Sequence, residues 1–343
     1  MKPRIFVVQP IMPEALSVLE SVGDVEVFHS ERMISRPELL DGLSRADYLY
    51  TLGDTTIDDD ILARSPNLKG IAAMSMGLTG VVDVEAATRR GVPVTNIPHY
   101  ITKTTCDLTM ALILGVTWRL VEADHFTRFG RFHQEQSMTF LAHSLPGKTA
   151  GLIGLGGIGH ELVKRLRAFE LEVIYAKRTR LPEEEEQALG VTYKSSIDDV
   201  LREADYVVIM ANYNPSTHLL IKEREFRLMK PSAFFINTGR GRIVDEPALI
   251  KALQEKWIAG AGLDVYWHEP PVSEPAPSPE LLAMSNVILT PHIGSATYES
   301  RRLMSIRCAE NVVAMTRGER PPDILNPEVL NEPEVLNEPE VRK

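Results

Sequence analysis

The chain has 343 residues, 44% apolar and 24% charged, a balance that is ordinary for a globular protein large enough for two domains. It carries 47 acidic and 37 basic side chains. The resulting net charge of −10 argues against a nucleic-acid-binding protein, because phosphate contacts need a basic surface. No apolar run of about 18 residues predicts a membrane span, and no signal peptide is predicted. Only two cysteines occur, Cys106 and Cys308, which favours a reducing, cytoplasmic setting.

The first hundred residues alternate short apolar runs with segments of helical spacing. Strands are predicted at residues 5–9, 25–28, 48–52 and 68–74, and helices at 13–22, 37–43 and 58–64. Strands that alternate with helices need crossover connections, so a parallel sheet is predicted.

A second alternating series begins near Thr149. Its strands are predicted at 150–155, 173–176, 206–210, 234–237, 262–265 and 287–290, with a helix at 157–169. A long apolar helix at 104–124 is expected to join the two series, and a final helix at 298–317 is expected to return to the first. The chain is therefore predicted to be an α/β protein.

The carboxyl-terminal segment has a different composition. Residues 331–336 read NEPEVL, and residues 337–341 repeat NEPEV. A short acidic repeat that contains proline cannot bury a core, so a disordered tail is predicted from residue 326 to 343. An interaction tag is the alternative.

The glycine motif GxGxxG, here GLGGIG, directly follows a predicted strand and opens a predicted helix. Gly154 allows the tight turn, Gly156 lets the backbone approach a pyrophosphate, and Gly159 lets the helix pack closely on the strand. Backbone N–H groups at the helix start, including those of Gly157 and Ile158, would face the phosphates. In this context the motif predicts a dinucleotide site, and a glycine-rich turn without a ligand is the alternative.

The second strand of this series is not followed by a carboxylate. NAD sites usually have Asp or Glu there, about 20 residues after the glycine motif, to bind the ribose 2′-hydroxyl. Here the strand leads into Lys177, Arg178, Thr179 and Arg180. Arginine and a hydroxyl suit a 2′-phosphate, because guanidinium binds phosphate through paired hydrogen bonds. NADP(H) is therefore favoured, and NAD(H) is possible if the segment is a solvated basic loop.

Arg240, Glu269 and His292 follow three predicted strands. Ligands of an open α/β sheet lie beyond the carboxyl ends of its strands, so these side chains are expected to converge. Arg240 supplies permanently charged donors for a carboxylate and a carbonyl oxygen. His292 can carry a proton near neutral pH, and Glu269 can hold the imidazole in its protonated form. The set predicts hydride transfer to or from a small 2-oxo/2-hydroxy acid, although each residue alone is more often a surface ion pair, a loop or a turn.

Taken in order, these motifs resemble the D-isomer-specific 2-hydroxyacid dehydrogenase family over about residues 1–325. The resemblance is carried by the glycine motif, by NTGRG at 237–241, by GLDV at 262–265 with Glu269-Pro270, and by TPHIGS at 290–295. The segment KRTR and the run GSAT are most similar to its glyoxylate/hydroxypyruvate reductase branch. The resemblance implies that Arg240 binds substrate, Glu269 is the partner residue and His292 is the acid/base.

The same resemblance implies further contacts. Backbone N–H groups of Met76 and Gly77 would bind the substrate carboxylate. The implied cofactor contacts, beyond the glycine motif and the basic segment, are Thr105, Thr238, Gly239, Asp264 and Gly294. Asp264 would contact the nicotinamide amide. No metal is expected, because the remaining histidines lack the spacing of metal ligands.

The resemblance also implies the domain organisation. Two Rossmann-like parallel-sheet domains would enclose a cleft, and the molecule would be a homodimer. Residues 1–100 and 291–325 would form a flavodoxin-like substrate-binding domain, and residues 101–290 a dinucleotide-binding domain.

Several alternatives stay open at this point. The substrate could be that of a sibling enzyme, such as a 2-ketogluconate reductase or a phosphoglycerate or phosphite dehydrogenase. A dinucleotide-sensing corepressor shares the architecture without turnover. Cys106 could be a nucleophile, but its apolar helical surroundings favour packing. The acidic run at 183–186 is expected to be the solvated start of a helix.

Overall fold

The computed structural model describes residues 2–30, 32–78, 80–97, 100–133, 137–269 and 277–330. The chain divides into two compact units, one formed by Met1–Tyr100 with Thr297–Lys343 and the other by Ile101–Ala296. Each unit is built on one parallel sheet. The predicted α/β class with two parallel-sheet domains is therefore confirmed.

The first unit opens with β1 (Arg4–Val7), α1 (Pro13–Glu20), β2 (Asp24–Val27), α2 (Arg36–Arg45), β3 (Tyr48–Leu52), α3 (Asp59–Ala63), β4 (Gly70–Met74), α4 (Val84–Arg89) and β5 (Val94–Thr95). Its strands pair in parallel in the order β2-β1-β3-β4-β5. This is the order of flavodoxin-like folds.

The central strands of this sheet are buried almost throughout. All residues of β4 and four of the five in β3 are buried, as expected for parallel strands covered on both faces. The helices that follow begin at carboxylate caps, because Asp58 accepts a hydrogen bond from Ile61 N and Asp83 from Ala86 N.

The second unit begins with the helices α5 (Thr102–Thr117) and α6 (Leu120–Arg128). It continues through β6 (Thr149–Ile153), α7 (Gly157–Ala168), β7 (Glu172–Ala176), α8 (Glu183–Leu189), β8 (Val191–Tyr193), α9 (Ile197–Glu203), β9 (Tyr206–Ile209), α10 (Glu223–Leu228), β10 (Phe234–Asn237), α11 (Glu246–Gln254), β11 (Gly260–Leu263), α12 (Pro279–Leu282) and β12 (Val287–Leu289). Its strands run parallel in the order β12-β11-β10-β9-β6-β7-β8. The order reverses between β6 and β9, and ligands bind at such a switch point.

Alternate residues of β9 enter different cores on the two faces of this sheet. Val207 and Ile209 belong to the cluster that includes side chains of α9, α10 and α11. Tyr206 and Val208 belong to the cluster that includes side chains of α5 and α7. This period of two explains why the strands read as continuous apolar runs.

The single helix predicted at 104–124 is wrong. The structure has two helices there, α5 and α6, with a bend of 61° between them. Arg119 causes the break, because its φ of 52° is left-handed and cannot continue a right-handed helix. The apolar pattern misled the prediction, since Trp118 and Leu120 extend it although both are more than half exposed.

No single helix in the described ranges is long and apolar enough to cross a membrane. The bent pair of α5 and α6 together has the length and composition of a membrane span, and nothing else indicates one.

The last long helix, α13 (Tyr298–Thr316), belongs to the first unit and packs on α1 and β4. The chain then continues to a 3₁₀ helix at Pro327–Leu330. The tail predicted to be disordered from residue 326 is wrong for residues 326–330, because Asn326 is 1% exposed and its side chain is fully hydrogen-bonded. The repeat at 331–343 lies outside the described residues.

Candidate active site

Three neighbouring strands of the second unit end beside the predicted reacting residues. β10, β11 and β12 pair in parallel, so their carboxyl ends open at one edge of the sheet. Arg240, Glu269 and His292 follow those ends in that order. Glu269 connects the other two: its Oε2 lies 2.9 Å from Nδ1 of His292, and its charge acts on the guanidinium of Arg240. The structure thus brings the three side chains into one cluster.

The imidazole of His292 is oriented by Glu269. The other carboxylate oxygen, Oε1, accepts the backbone N–H of Tyr266 at 2.9 Å, so Glu269 is itself fixed. The His292 side chain is 50% exposed and that of Glu269 is 20% exposed. Because Nδ1 faces Glu269, Nε2 is the ring nitrogen left for proton transfer.

Arg240 is the cation of the cluster. Burial lowers the pKa of its guanidinium, and the charge of Glu269 opposes that shift. The side chain stays charged near neutral pH all the same. One of its NH groups donates to the carbonyl of Gly239 at 2.7 Å, and no carboxylate of the described chain forms an ion pair with it. Its remaining donors are therefore free to bind an anionic substrate.

Gly241 allows the loop after β10 to pass against the loop after β11. A β-carbon at this position would lie 1.8 Å from the carbonyl oxygen of Tyr266. No other residue fits without moving one of the two loops. The close approach brings Arg240 towards Glu269.

Asp264 fixes the loop that carries His292. The carboxylate is 1% exposed and accepts hydrogen bonds from Thr290 Oγ1 at 2.6 Å, Ile293 N at 2.8 Å and Gly294 N at 2.9 Å. Burial raises its pKa, while these hydrogen bonds and the charge of His292 oppose the shift. The nicotinamide contact predicted for Asp264 stays a prediction. The sequence did not indicate that Asp264 also positions the loop that carries His292.

Two buried threonines lie behind the same edge. Thr105 Oγ1 donates to the carbonyl of Gly294 at 3.3 Å, which joins α5 to the His292 loop. Thr238 Oγ1 lies 2.9 Å from Thr109 Oγ1. Their predicted cofactor contacts stay predictions.

The glycine motif lies at the switch point of the sheet, between β6 and α7. Gly154 has a φ of +92°, and a β-carbon there would be 2.7 Å from the backbone N of Ala211, so this turn requires glycine. β-carbons at Gly156 and Gly157 would meet no atom within 4 Å. The first turn of α7 therefore faces open space, and its N–H groups have no acceptors within the helix.

The basic segment after β7 divides into bound and free side chains. Lys177 Nζ donates to the carbonyl of Leu155 at 3.0 Å, beside the glycine motif. Arg180 is held by Glu186 through two hydrogen bonds of 2.9 and 2.7 Å. Arg178 and Thr179 are exposed, and within the described ranges no side chain pairs with Arg178. Among the described side chains, Arg178 is therefore the arginine of this segment that has no ion-pair partner.

Glu186 corrects the expectation of a solvated acidic run. It is 6% exposed and also accepts a hydrogen bond from Tyr175 OH at 2.5 Å. Arg180 and then Tyr175 lower the pKa of its carboxyl to about 2. The other three acids of the run are at least partly solvated at the start of α8, as expected.

His160 joins the glycine motif to α8. Its Nδ1 lies 2.7 Å from the carbonyl of Gly156, and its Nε2 lies 2.7 Å from a carboxylate oxygen of Glu185. Both partners are acceptors, so both bonds form together only when the ring is protonated. Sequence reasoning did not single out this residue, since its partners come from a separate helix.

Cys106 is a packing residue. Its Sγ donates to the carbonyl of Ile158 at 3.2 Å, and the side chain is fully buried. Burial raises the pKa of the thiol to about 12, so no thiolate forms near neutral pH. Cys106 and Cys308 are both free thiols.

The NAD binding domain model of the D-isomer specific 2-hydroxyacid dehydrogenases matches residues 110–294, more than half of the chain. The chain belongs to the D-isomer specific 2-hydroxyacid dehydrogenase family. It is 43% identical over 333 residues to a glyoxylate reductase of Aeropyrum pernix, with 96% of this chain and 97% of that protein covered. It is 41% identical over 334 residues to a glyoxylate reductase of Thermococcus litoralis, with 96% and 98% covered.

A solved structure of the same family is similar over nearly the whole chain. The NADPH-dependent glyoxylate/hydroxypyruvate reductase of Sinorhizobium meliloti, in complex with NADP and malonate, is 29% identical with a TM-score of 0.79. The match covers 95% of this chain and 97% of that one. The predicted resemblance to this family and its glyoxylate reductase branch is confirmed.

As a 2-hydroxyacid dehydrogenase, the chain is an oxidoreductase with a nicotinamide dinucleotide cofactor. Its residues fit that group: the space beside Gly156 and Gly157 admits a pyrophosphate, and the N-terminus of α7 favours its negative charge. The adjacent cations are Lys177 and Arg178.

The predicted substrate loop of this dehydrogenase lies in the first unit, directly after β4. Ser75 Oγ donates to the carbonyl of Gly77 at 2.9 Å, and Asn96 Nδ2 donates to the carbonyl of Met76 at 2.9 Å. The carbonyl groups of Met76 and Gly77 are thus both hydrogen-bonded to side chains of the same unit. The N–H groups of Met76 and Gly77 have no acceptor within the described part of the chain, as a carboxylate site would require.

Within the described ranges, no group of three or more His, Cys, Asp or Glu side chains could hold a metal ion.

Proposed function

We propose that this dehydrogenase reduces small 2-oxo acids, glyoxylate and hydroxypyruvate foremost, with NADPH as the preferred cofactor. The observation that carries the proposal is the cluster of Arg240, Glu269 and His292 at the carboxyl ends of three adjacent strands. The choice of substrates is supported by the relatives, which are glyoxylate reductases and a glyoxylate/hydroxypyruvate reductase. The family and the cluster together favour turnover over a corepressor-like binding role.

Each residue of the cluster has a distinct task in this proposal. Arg240 binds the substrate carboxylate and polarises the adjacent carbonyl oxygen. The reduced nicotinamide, when bound, supplies the hydride. His292 gives a proton from Nε2 to the developing alkoxide, and Glu269 stabilises the imidazolium before that transfer. In the reverse direction His292 acts as the base.

The remaining predicted contacts complete the site. Met76 and Gly77 are proposed to donate their free N–H groups to the substrate carboxylate. Thr105, Thr238, Gly239, Asp264 and Gly294 are proposed to line the cofactor site, and Asp264 to meet the nicotinamide amide.

The preference for NADPH depends on Arg178. The tip of β7 carries no carboxylate to bind a ribose 2′-hydroxyl, and the exposed guanidinium of Arg178 suits a 2′-phosphate. The Sinorhizobium meliloti relative is itself NADPH-dependent by its name. NADH would still bind through the glycine motif.

The deciding experiment is a panel of 2-oxo acids with NADPH and NADH, followed by the absorbance of the reduced nicotinamide. Glyoxylate and hydroxypyruvate should give the highest kcat/KM. The panel should also contain 2-ketogluconate and, in the oxidative direction, phosphoglycerate and phosphite. Higher efficiency with one of these three would replace the proposed substrate, and cofactor binding without turnover on any acid would favour the binding-protein alternative.

We also propose a cytoplasmic homodimer. Large exposed apolar side chains concentrate in one stretch of the second unit, namely Trp118, Leu120, Val121, Phe129, Phe132, Met138 and Leu141. Exposed apolar surface of this kind often marks an interface between chains. Light scattering should give twice the chain mass of 38.3 kDa, and Phe129→Asp should shift the protein towards the monomer.

A further inference from the structure

The helix α8 contacts both loops of the second unit that are proposed to bind cofactor phosphates. Glu185, in its first turn, reaches the glycine turn between β6 and α7 through His160. The next residue, Glu186, reaches the basic loop between β7 and α8 through Arg180 and Tyr175. Two adjacent acids of one helix therefore hold the two loops that would meet the pyrophosphate and the 2′-phosphate.

His160 fixes the orientation of the first peptide of α7. In the protonated ring, Nδ1 donates to the carbonyl of Gly156 at 2.7 Å, and Nε2 donates to Oε1 of Glu185 at 2.7 Å. Because a trans peptide is planar, the N–H on its other side, that of Gly157, points away from His160. A β-carbon at Gly156 or Gly157 would meet no atom within 4 Å. A phosphate has room beside this N–H, at the start of a helix that favours an anion.

Glu185 holds the imidazole of His160 in this position. The His160 side chain is 29% exposed and that of Glu185 is 42% exposed. An ion pair that is this open to solvent contributes little to the free energy of unfolding. Loss of the pair should therefore change the orientation of the ring and leave the fold intact.

The basic loop is anchored at both ends. At its start, Lys177 Nζ donates to the carbonyl of Leu155 at 3.0 Å. At its end, the N–H of Leu181 donates to the hydroxyl oxygen of Tyr175 at 3.0 Å. Arg178 lies between the two anchors and is exposed. The position of its guanidinium therefore depends on how firmly the anchors hold the backbone.

Glu186 secures the second anchor. Its Oε1 accepts Tyr175 OH at 2.5 Å and Arg180 Nε at 2.9 Å, and its Oε2 accepts Arg180 Nη2 at 2.7 Å. The guanidinium of Arg180 also lies over the ring of Tyr193, 5.2 Å from its centroid. Glu186 is 6% exposed and Tyr175 is 0% exposed. Both can act on a bound cofactor only through the loop that they hold.

We propose that Glu185 and Glu186 are positioning residues, each for a different phosphate of the cofactor. Glu185, through His160, positions the N–H groups for the pyrophosphate, which NADH and NADPH share. Glu186, through Tyr175, positions Arg178 for the 2′-phosphate, which only NADPH carries. The role of Glu186 rests on the proposed preference for NADPH.

The test measures the Kd of NADPH and of NADH by fluorescence titration of the full-length chain, without turnover. His160→Ala removes the contact to the glycine turn and should raise both Kd values by a similar factor, about three- to tenfold. Tyr175→Phe keeps the buried ring and removes its hydroxyl, so it should raise only the Kd of NADPH, by about three- to tenfold. Glu184→Ala, an exposed neighbour in the same turn of α8, is the control and should match wild type with both cofactors.

Two further variants separate positioning from a loss of folding. Glu185→Ala should reproduce the effect of His160→Ala, because the ring then loses its partner. Arg180→Ala should reproduce the effect of Tyr175→Phe, and its side chain is 57% exposed, so the fold should tolerate the change. The ratio of the two Kd values is the informative quantity, because a general loosening of the fold would raise both.

The two roles can fail separately. Unchanged Kd values in both His160→Ala and Glu185→Ala would overturn the role of Glu185. An equal rise in both Kd values for Tyr175→Phe and Arg180→Ala, or no rise in either, would overturn the role of Glu186 while the preference for NADPH stands. Equal Kd values of NADPH and NADH in wild type would instead refute that preference, and the role of Glu186 would fall with it.

Discussion

His292 has a left-handed backbone, with a φ of 53°, at the point where its loop leaves β12. A residue other than glycine pays about 1–3 kcal/mol for this conformation. The surrounding contacts impose it: Asp264 binds the two N–H groups that follow His292, and Glu269 binds its ring. The imidazole is therefore held in one position before any ligand arrives, which favours proton transfer without reorganisation.

His292→Ala should lower kcat by about 10²–10⁴-fold, because the proton donor is removed. The dissociation constant of NADPH, measured by fluorescence titration, should stay within a few-fold of wild type. His268→Ala on the preceding loop is the matched control and should retain most of the activity. An unchanged kcat at saturating substrate in His292→Ala would refute the acid/base role.

Arg240→Lys should reduce kcat/KM by about 10- to 100-fold despite the preserved charge. The lysine ammonium cannot reproduce the planar fork of guanidinium, and one lost hydrogen bond to a charged group costs about 1.5–3 kcal/mol. The exposed neighbour Arg242 provides the control, and Arg242→Lys should be nearly neutral. Near-normal kcat/KM for glyoxylate in Arg240→Lys would count against a two-pronged contact with substrate.

At the scale of elements, the sequence predicted most central strands well. Tyr48–Leu52 and Phe234–Asn237 match the predicted ranges, because a parallel strand covered on both faces reads as an uninterrupted apolar run. β5 and β8 were missed, since two or three residues are too few to show a pattern. The break between α5 and α6 was missed because Arg119 is not a residue that signals a left-handed turn.

The part of the site that depends on side-chain contacts between different helices and loops could be predicted only partly. Arg240, Glu269 and His292 were predicted to lie together because the carboxyl ends of neighbouring parallel strands must meet, and the structure places them beyond β10, β11 and β12. Arg180 lies in the basic segment whose cofactor contacts were predicted to be Lys177, Arg178 and Thr179, and its partner Glu186 binds it from α8. A run of like charges gives no sign of which member turns inward, so this ion pair could be recognised only from the fold.

The ion pair between the β7–α8 loop and α8 predicts acid sensitivity. The pKa of Glu186 falls from its ordinary value of 4.5 to about 2 in the folded chain. A lowered carboxyl pKa stabilises the fold above pH 4.5, and this contribution is lost as the pH falls from there towards 2. Glu186→Gln should therefore melt below wild type at pH 7, and the difference in Tm should shrink towards pH 3.

The exposed neighbour Glu184 is the control for that measurement. Glu184→Gln should melt close to wild type throughout, as most surface substitutions do. A Tm difference for Glu186→Gln that is constant from pH 7 to pH 3 would show that packing, rather than the ionised carboxylate, accounts for the loss.

At the scale of the whole molecule, a protein with a net charge of −10 has to bind an anionic cofactor and an anionic substrate. The overall field opposes their approach, so affinity must come from local groups. In the second unit the groups proposed for this task are the N-terminus of α7, Arg178 beyond β7 and Arg240 beyond β10. The parallel sheet places all three past the carboxyl ends of its strands, and the proposed function has the acidic chain bind its anionic ligands there.

Arg178→Ala tests whether Arg178 supplies the affinity for the 2′-phosphate of NADPH, and the readout is the thermal stability of the whole fold. A ligand that binds only the folded chain stabilises it by about 2.7 kcal/mol at 100 times its Kd, so the rise in Tm reports affinity without turnover. NADPH should raise the Tm of wild type more than equimolar NADH does. Arg178→Ala should lose most of that excess and keep the NADH response, because only NADPH carries the 2′-phosphate. Arg202→Ala, an exposed arginine of α9, should behave as wild type, and equal losses for both cofactors in Arg178→Ala would place the 2′-phosphate contact on another residue.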